Sequence, residues 1–139
     1  MWFIYALLSA ISAAAVAILG KIGLQNVDTI LATTIRAIIM TVFLVVVSLS
    51  LNKFQGFSFG MIESKSWLFI LLAGLAGAIS WIFYFFALKV GFASKVVAID
   101  RLSLIFAVIL AAIFLGESLS LKVILGAALM VAGALLISL

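Results

Sequence analysis

The sequence predicts an all-α integral membrane protein with five transmembrane helices, on three observations. Of its 139 residues 69% are hydrophobic and 9% charged, against about 45–50% and about 25% in a soluble domain. Five apolar stretches, 2–20, 29–51, 67–88, 96–115 and 121–139, hold 19 to 23 residues each, close to the ~20 that cross ~30 Å of hydrocarbon. No stretch alternates with period two, which argues against a membrane barrel.

Composition also narrows the chemistry. There is no Cys, hence no disulfide framework and no thiolate metal site. There is no His either, which leaves zinc sites and the common catalytic triads without their usual residues. The expectation is a protein that is not an enzyme and uses no cofactor and no metal. Its net charge of +4 comes from eight scattered basic residues, so it reads as membrane-loop bias, not as a nucleic-acid patch.

The elements follow in order as one multi-helix domain. The first apolar run lacks a basic leader and exceeds the ~7–15 residues of a signal-peptide core, so it is expected to stay as a span. Ser9, Ala13 and Ala17 give it a small-residue face. The separators "KIGLQNVD", "KVGFASK" and "GESLS" are short and polar, and only "NKFQGFSFGMIESK" has room for extra structure, with Phe54, Phe57 and Phe59 expected at the interface. Trp2 and Trp67 stand at run ends, the headgroup level that aromatic rings prefer. With no Pro in the chain, sharply broken spans are not expected. In the third helix Gly74 and Gly77 precede Trp81, Tyr84 and Phe85 on roughly one stripe, a notch and an aromatic wall suited to a cavity. In the fifth, Gly126 and Gly133 share a face and allow close helix packing.

Charge balance is nearly even. Lys53, Lys65 and Lys122 flank one side and Lys21, Lys89 and Lys95 the other, with Arg36 and Arg101 just inside the latter. The positive-inside rule favours a cytoplasmic C-terminus only faintly. Two readings stay open: insertion in both orientations, giving an antiparallel pair of inverted copies, or an orientation decided by other features.

Asp100 and Arg101 raise the sharper question, because lipid penalises both. Between 96 and 115 thirteen Leu, Ile, Val or Phe residues favour insertion by roughly 4–8 kcal/mol. The two charges would cost about 5–7 kcal/mol at the bilayer centre and less near one end. A helix starting beyond Arg101 would span only about 21 Å, so both residues are expected inside the helix, about 8 Å below the interface. Arg101 can snorkel, whereas the short Asp100 must be paired, solvated or protonated. An interhelical bridge to Arg36 or Lys21 is the structural reading; a substrate path with proton exchange at Asp100 is the functional one. Glu117 stands before the last helix, where a carboxylate complements the dipole and Ser118 or Ser120 can cap.

The run "FFALKVGFASKVVAIDRLSLIFAVILAAIFLGESLSLKVILGAALMVAGALL" resembles the C-terminal signature of EamA-like domains of the drug/metabolite transporter superfamily, through "ALKVG", "FLGESLS" and "GAALMVAG". Lys21 and Arg36, in "TTIRAII", fall on basic positions usual in that family. Its members usually carry two inverted five-helix repeats, and one repeat is present here. The resemblance therefore implies a half-size transporter of small organic metabolites or drugs, in a prokaryotic inner (plasma) membrane, working by alternating access as a homodimer, preferably antiparallel. Two departures matter: helix 1 lacks the family's common Trp-Gly, and "AIDRLS" carries charges in a usually uncharged stretch. The related small multidrug resistance proteins rely on a Glu in helix 1; this helix 1 has no acid, so their proton-coupled mechanism does not transfer.

The expected substrate or coupling residues are Asp100, Arg101, Arg36, Lys21, Trp81 and Tyr84, and the expected packing residues are Gly126, Gly133, Gly74 and Gly77. The partners expected are the bilayer, a small-molecule substrate and a second copy, with no nucleic acid. A different class also fits the small-residue faces: a non-transporting membrane subunit packed against a partner protein or a lipid-modifying enzyme. A channel fits less well, since no repeated polar ring is present.

Overall fold

The computed structural model describes residues 1–139, except for the side chain of Phe59, so that residue's expected interfacial placement lies outside the described residues. The helices are α1 (Trp2–Gly23), α2 (Thr29–Ser50), α3 (Ser64–Val90), α4 (Ala93–Asp100), α5 (Ser103–Leu110) and α6 (Leu121–Ser138). A 3₁₀ turn covers Phe59–Met61 and a π-helical turn Ala111–Leu115. Five stretches are long and apolar enough to cross a membrane, the fourth running through Ala93–Leu115. In each, only 6% of the most apolar window is buried. Surface this apolar is not stable in water, so lipid or a packed partner must cover it.

The helices start and stop where a polar group takes over the backbone. Asp28 caps α2, its Oδ1 accepting from the Leu31 N–H at 2.9 Å, and Ser120 caps α6 by accepting from Val123 at 3.3 Å. The expected Ser120 cap is thus present, whereas Glu117 contributes its backbone: its N–H reaches the Ala111 carbonyl at 3.3 Å. Gly116, with φ 69°, turns the chain there and sends its own N–H to the same carbonyl. Ends run past the apolar stretches, to Gly23 in α1 and back to Ser64 in α3. Hydropathy sees the hydrocarbon only, while the hydrogen-bond ladder continues into the headgroups until something caps it.

The fourth span, Ala93–Leu115, contains Asp100 and Arg101 as expected, but its helix is irregular there: Asp100 ends α4 and Arg101 stands in the junction before α5. Leu102, Leu104 and Ile105 bond to Ile99, Arg101 and Leu102 at 2.9, 3.1 and 3.0 Å, a tightened i→i+3 ladder. The span is interrupted although no Pro is present, because these shorter bonds keep the carbonyls occupied while the helix is broken.

By contacts the chain forms two compact units, 1–21 with 90–139, and 22–89. In the first, α4 packs along α6, with Ala98 and Ala134 buried. Lys95 Nζ fastens the end of α6, donating to the Ser138 and Leu139 carbonyls at 2.9 and 3.1 Å. Lys21 Nζ donates to the Gly91 carbonyl at 2.9 Å across the start of α4. The second unit is the α2–α3 pair, and Lys89 Nζ ties the end of α3 to the Val27 carbonyl at 2.8 Å. All three lysines flanking that set of helix ends are carbonyl donors.

Gly116 gives a direct test of the turn after the fourth span. A Cβ there meets no atom within 4 Å, so only its positive φ resists substitution. Gly116→Ala should lower stability by about 1–2 kcal/mol, read as a lower melting temperature in detergent. Gly126→Ala, equally open and in a helix, should be neutral or slightly stabilising in the same assay.

Candidate functional site

The second unit holds an arrangement that combines charge, aromatic rings and space. On α2, Thr29, Thr33, Arg36 and Met40 recur at helical spacing and form a face. Thr29 is 1% and Thr33 8% exposed. The Thr33 hydroxyl donates to the Thr29 carbonyl at 2.7 Å, and Thr34 and Thr41 donate to their own helix at 2.9 Å each. These hydroxyls satisfy themselves locally and keep only acceptor capacity.

Arg36 does not. It sits about 10 Å along α2, with its guanidinium over Trp81 at 4.3 Å and Phe85 at 4.7 Å from the ring centres. The α3 positions 81 and 85 are one turn apart, so both rings stand on the same side, and Tyr84 meets Phe85 edge-on at 5.5 Å. Each contact of this kind contributes roughly 0.5–2 kcal/mol. Aromatic faces hold the charge but accept no in-plane hydrogen bond. The hydrogen bond present goes to a weak acceptor, Met40 Sδ, at 3.6 Å from Nη2. Nη1 is buried with no hydrogen-bond partner among the described residues.

Beside it lies a cleft of about 580 Å³ between α2 and α3, lined by Thr33, Thr34, Met40, Gly74, Gly77 and Trp81 among others. A Cβ added at Gly74 or Gly77 would meet nothing within 4 Å. These glycines leave room in the cleft. Gly126 and Gly133 are equally open within their own unit.

The remaining sequence-derived residues lie in the first unit. Lys21 holds Gly91. Asp100 and Arg101 are exposed at the interruption of the fourth span. Asp100 stands there at the C-terminal end of α4, and Arg101 follows it in the junction. Arg36 and Trp81 are thus brought together, with Phe85 against the same guanidinium and Tyr84 beside Phe85. Phe85, expected in the aromatic wall, joins the site, whereas Met40, four residues from Arg36, escaped the sequence-derived set. No group of three or more Asp or Glu residues able to hold a metal occurs among the described residues.

The class these features define is a multi-pass helical membrane protein with a mostly apolar cleft between two of its helices and an arginine held on aromatic rings close by. The chain belongs to the EamA-like transporter family, whose signature matches residues 1–139. It is 39% identical over 137 residues to an uncharacterized transporter encoded in the cobO 3′ region of a Sinorhizobium species, an alignment covering 99% of this chain and 96% of that protein. No solved structure gives a significant match.

Thr29 offers a test of how this face is built. Its Oγ1 is buried without a hydrogen-bond partner, and such a group costs about 1–3 kcal/mol. Thr29→Val, which keeps the shape, should leave stability unchanged or raise it by about 1 kcal/mol. Thermal unfolding in detergent followed by circular dichroism checks it, and a clear loss would mean the hydroxyl has a partner.

Proposed function

We propose that the protein carries small organic solutes across a prokaryotic inner membrane, working as a homodimer by alternating access between two inverted copies. The observation that carries the reading is Arg36: a half-buried guanidinium resting on two aromatic rings, its Nη1 without a hydrogen-bond partner, close to a cleft whose volume suits a metabolite. Ligand pockets run from about 300 to 1,000 Å³, and charged residues inside spans are costly enough that they mark solute paths. Membership of a transporter family supports the same reading.

The dimer rests on two further observations. The Sinorhizobium relative is also about one repeat long, since 137 aligned residues make up 96% of it. The flanking charges are balanced, Lys53, Lys65 and Lys122 against Lys21, Lys89 and Lys95. That balance gives the positive-inside rule little to act on. Inverted copies about an axis in the membrane plane are a common carrier architecture. The interruption at Arg101–Leu102 supplies a place where the fourth span can bend as the copies rock. Asp100 would be the polar or coupling group at that joint.

Two measurements test this. Because there is no native Cys, Ser58→Cys and Ser138→Cys can be labelled in intact cells with an impermeant thiol reagent. Each site should be reached from outside in one fraction of molecules and protected in the rest; uniform one-sided labelling rejects the inverted pair. Asp100→Asn should reduce proteoliposome uptake at least tenfold while the dimer persists on gel filtration. Loss of the dimer instead would make Asp100 a structural residue.

A further inference from the structure

We infer that the α2–α3 cleft is built for a monocarboxylate with an apolar body, and that Arg36 holds the carboxylate. The inference rests on the carrier reading for its physiological meaning, but the site itself stands on the local geometry.

Trp81 and Phe85 hold the guanidinium carbon over their rings, and neither ring supplies an oxygen acceptor for its N–H groups. The guanidinium edge carries donors in a planar fork, which matches a carboxylate and not a single carbonyl. Its occupant now is the Met40 thioether at 3.6 Å, a weak acceptor on a flexible side chain that can be displaced. Arg36 itself does not line the cleft, but its contacts Met40 and Trp81 do, so displacement of Met40 by a ligand would free Nη2 and open a way from the cleft to the guanidinium.

The rest of the cleft limits the body of the ligand. Its wall offers threonine hydroxyls whose protons are committed to helix carbonyls, and otherwise aliphatic, glycine and aromatic surface. The acids of this unit, Asp28 and Glu63, lie at helix starts or in the connection, and neither lines the cleft. An ammonium would find no carboxylate there, and burying it unpaired is costly. A single guanidinium neutralises one charge, which favours a monoanion over a doubly charged phosphate ester. Amines, quaternary cations and zwitterions are therefore disfavoured.

The experiment uses the full chain in detergent, with Trp2→Phe and Trp67→Phe so that Trp81 is the sole reporter. The probes are 3-phenylpropionate, 3-phenylpropanamide and 3-phenylpropylamine, which share a body and differ in the head. Phenylpropionate should change the Trp81 emission saturably, with the amide and the amine at least tenfold weaker. Arg36→Gln should weaken phenylpropionate about 10- to 100-fold, the range of a lost charged hydrogen bond. Arg36→Lys, which keeps the charge and loses the fork, should fall in between. Should Arg36→Gln fail to fold, the ranking of the three probes with Arg36 intact still decides. Equal binding of amide or amine, or unchanged affinity in Arg36→Lys, overturns the inference. Proteoliposome uptake separates the two levels. Phenylpropionate bound but not moved rejects the carrier reading and keeps the site, whereas uptake of neutral or cationic solutes that is indifferent to Arg36→Gln keeps the carrier and rejects the site.

Discussion

The structure depends on one constraint: in hydrocarbon no water is available to bond a backbone N–H or C=O, so every one of them must find a partner in the protein. Within the spans the helical ladder does this. At the ends it is done by side chains whose placement otherwise looks incidental. Asp28 and Ser120 cap α2 and α6, and Lys21, Lys89 and Lys95 reach the carbonyls of Gly91, Val27 and Ser138. A lysine carries its amine on a four-carbon stem that lies comfortably along apolar surface. It is therefore well suited to bridge from one helix end to a loop beside another. This role also bears on the even charge balance across the membrane. Residues held by carbonyls of the fold are not free to be distributed for orientation alone.

The same constraint shapes the interruption of the fourth span. A broken helix in a membrane normally exposes carbonyls, and proline is the common cause. Here the N–H groups of Leu102, Leu104 and Ile105 bond three residues back instead of four, so the ladder continues in tightened form through the interruption. The two charged residues stand at that joint.

Hydropathy made the number and approximate position of the spans legible, because length and apolarity are linear properties of the sequence. The Ser120 cap and the Gly74–Gly77–Trp81 alignment were legible too, since both follow from helical spacing. What escaped was of a different kind. The interruption at Arg101 has no Pro or Gly to announce it. The lysine clamps join residues up to 70 positions apart, and nothing in the local sequence names their acceptors. Met40 was hidden by abundance: in a chain 69% hydrophobic, one more apolar residue carries little signal until a charge is seen bonded to it. Arg36 was singled out for its charge, but its partners were sought among acids, and its neighbours in the α2–α3 unit are two aromatic rings and a thioether.

That substitution of rings for acids separates a structural arginine from a receptive one. An arginine retained for stability inside a span would be expected to saturate its donors, since each unpaired donor in low dielectric costs free energy. The lysines at the helix ends reach carbonyl oxygens at 2.8–3.1 Å, as that argument requires. Arg36 lies within a unit rich in backbone carbonyls, yet has no oxygen partner among the described residues, only the sulfur of Met40. Stacking on Trp81 and Phe85 stabilises its charge without using its N–H edge. The result is a cation set on two rings with one donor left unpartnered. At the proposed carboxylate site a ligand that brings its own acceptor would remove that cost on binding, and one that brings a positive charge would increase it. Selectivity there would follow from the donor that the fold leaves unused.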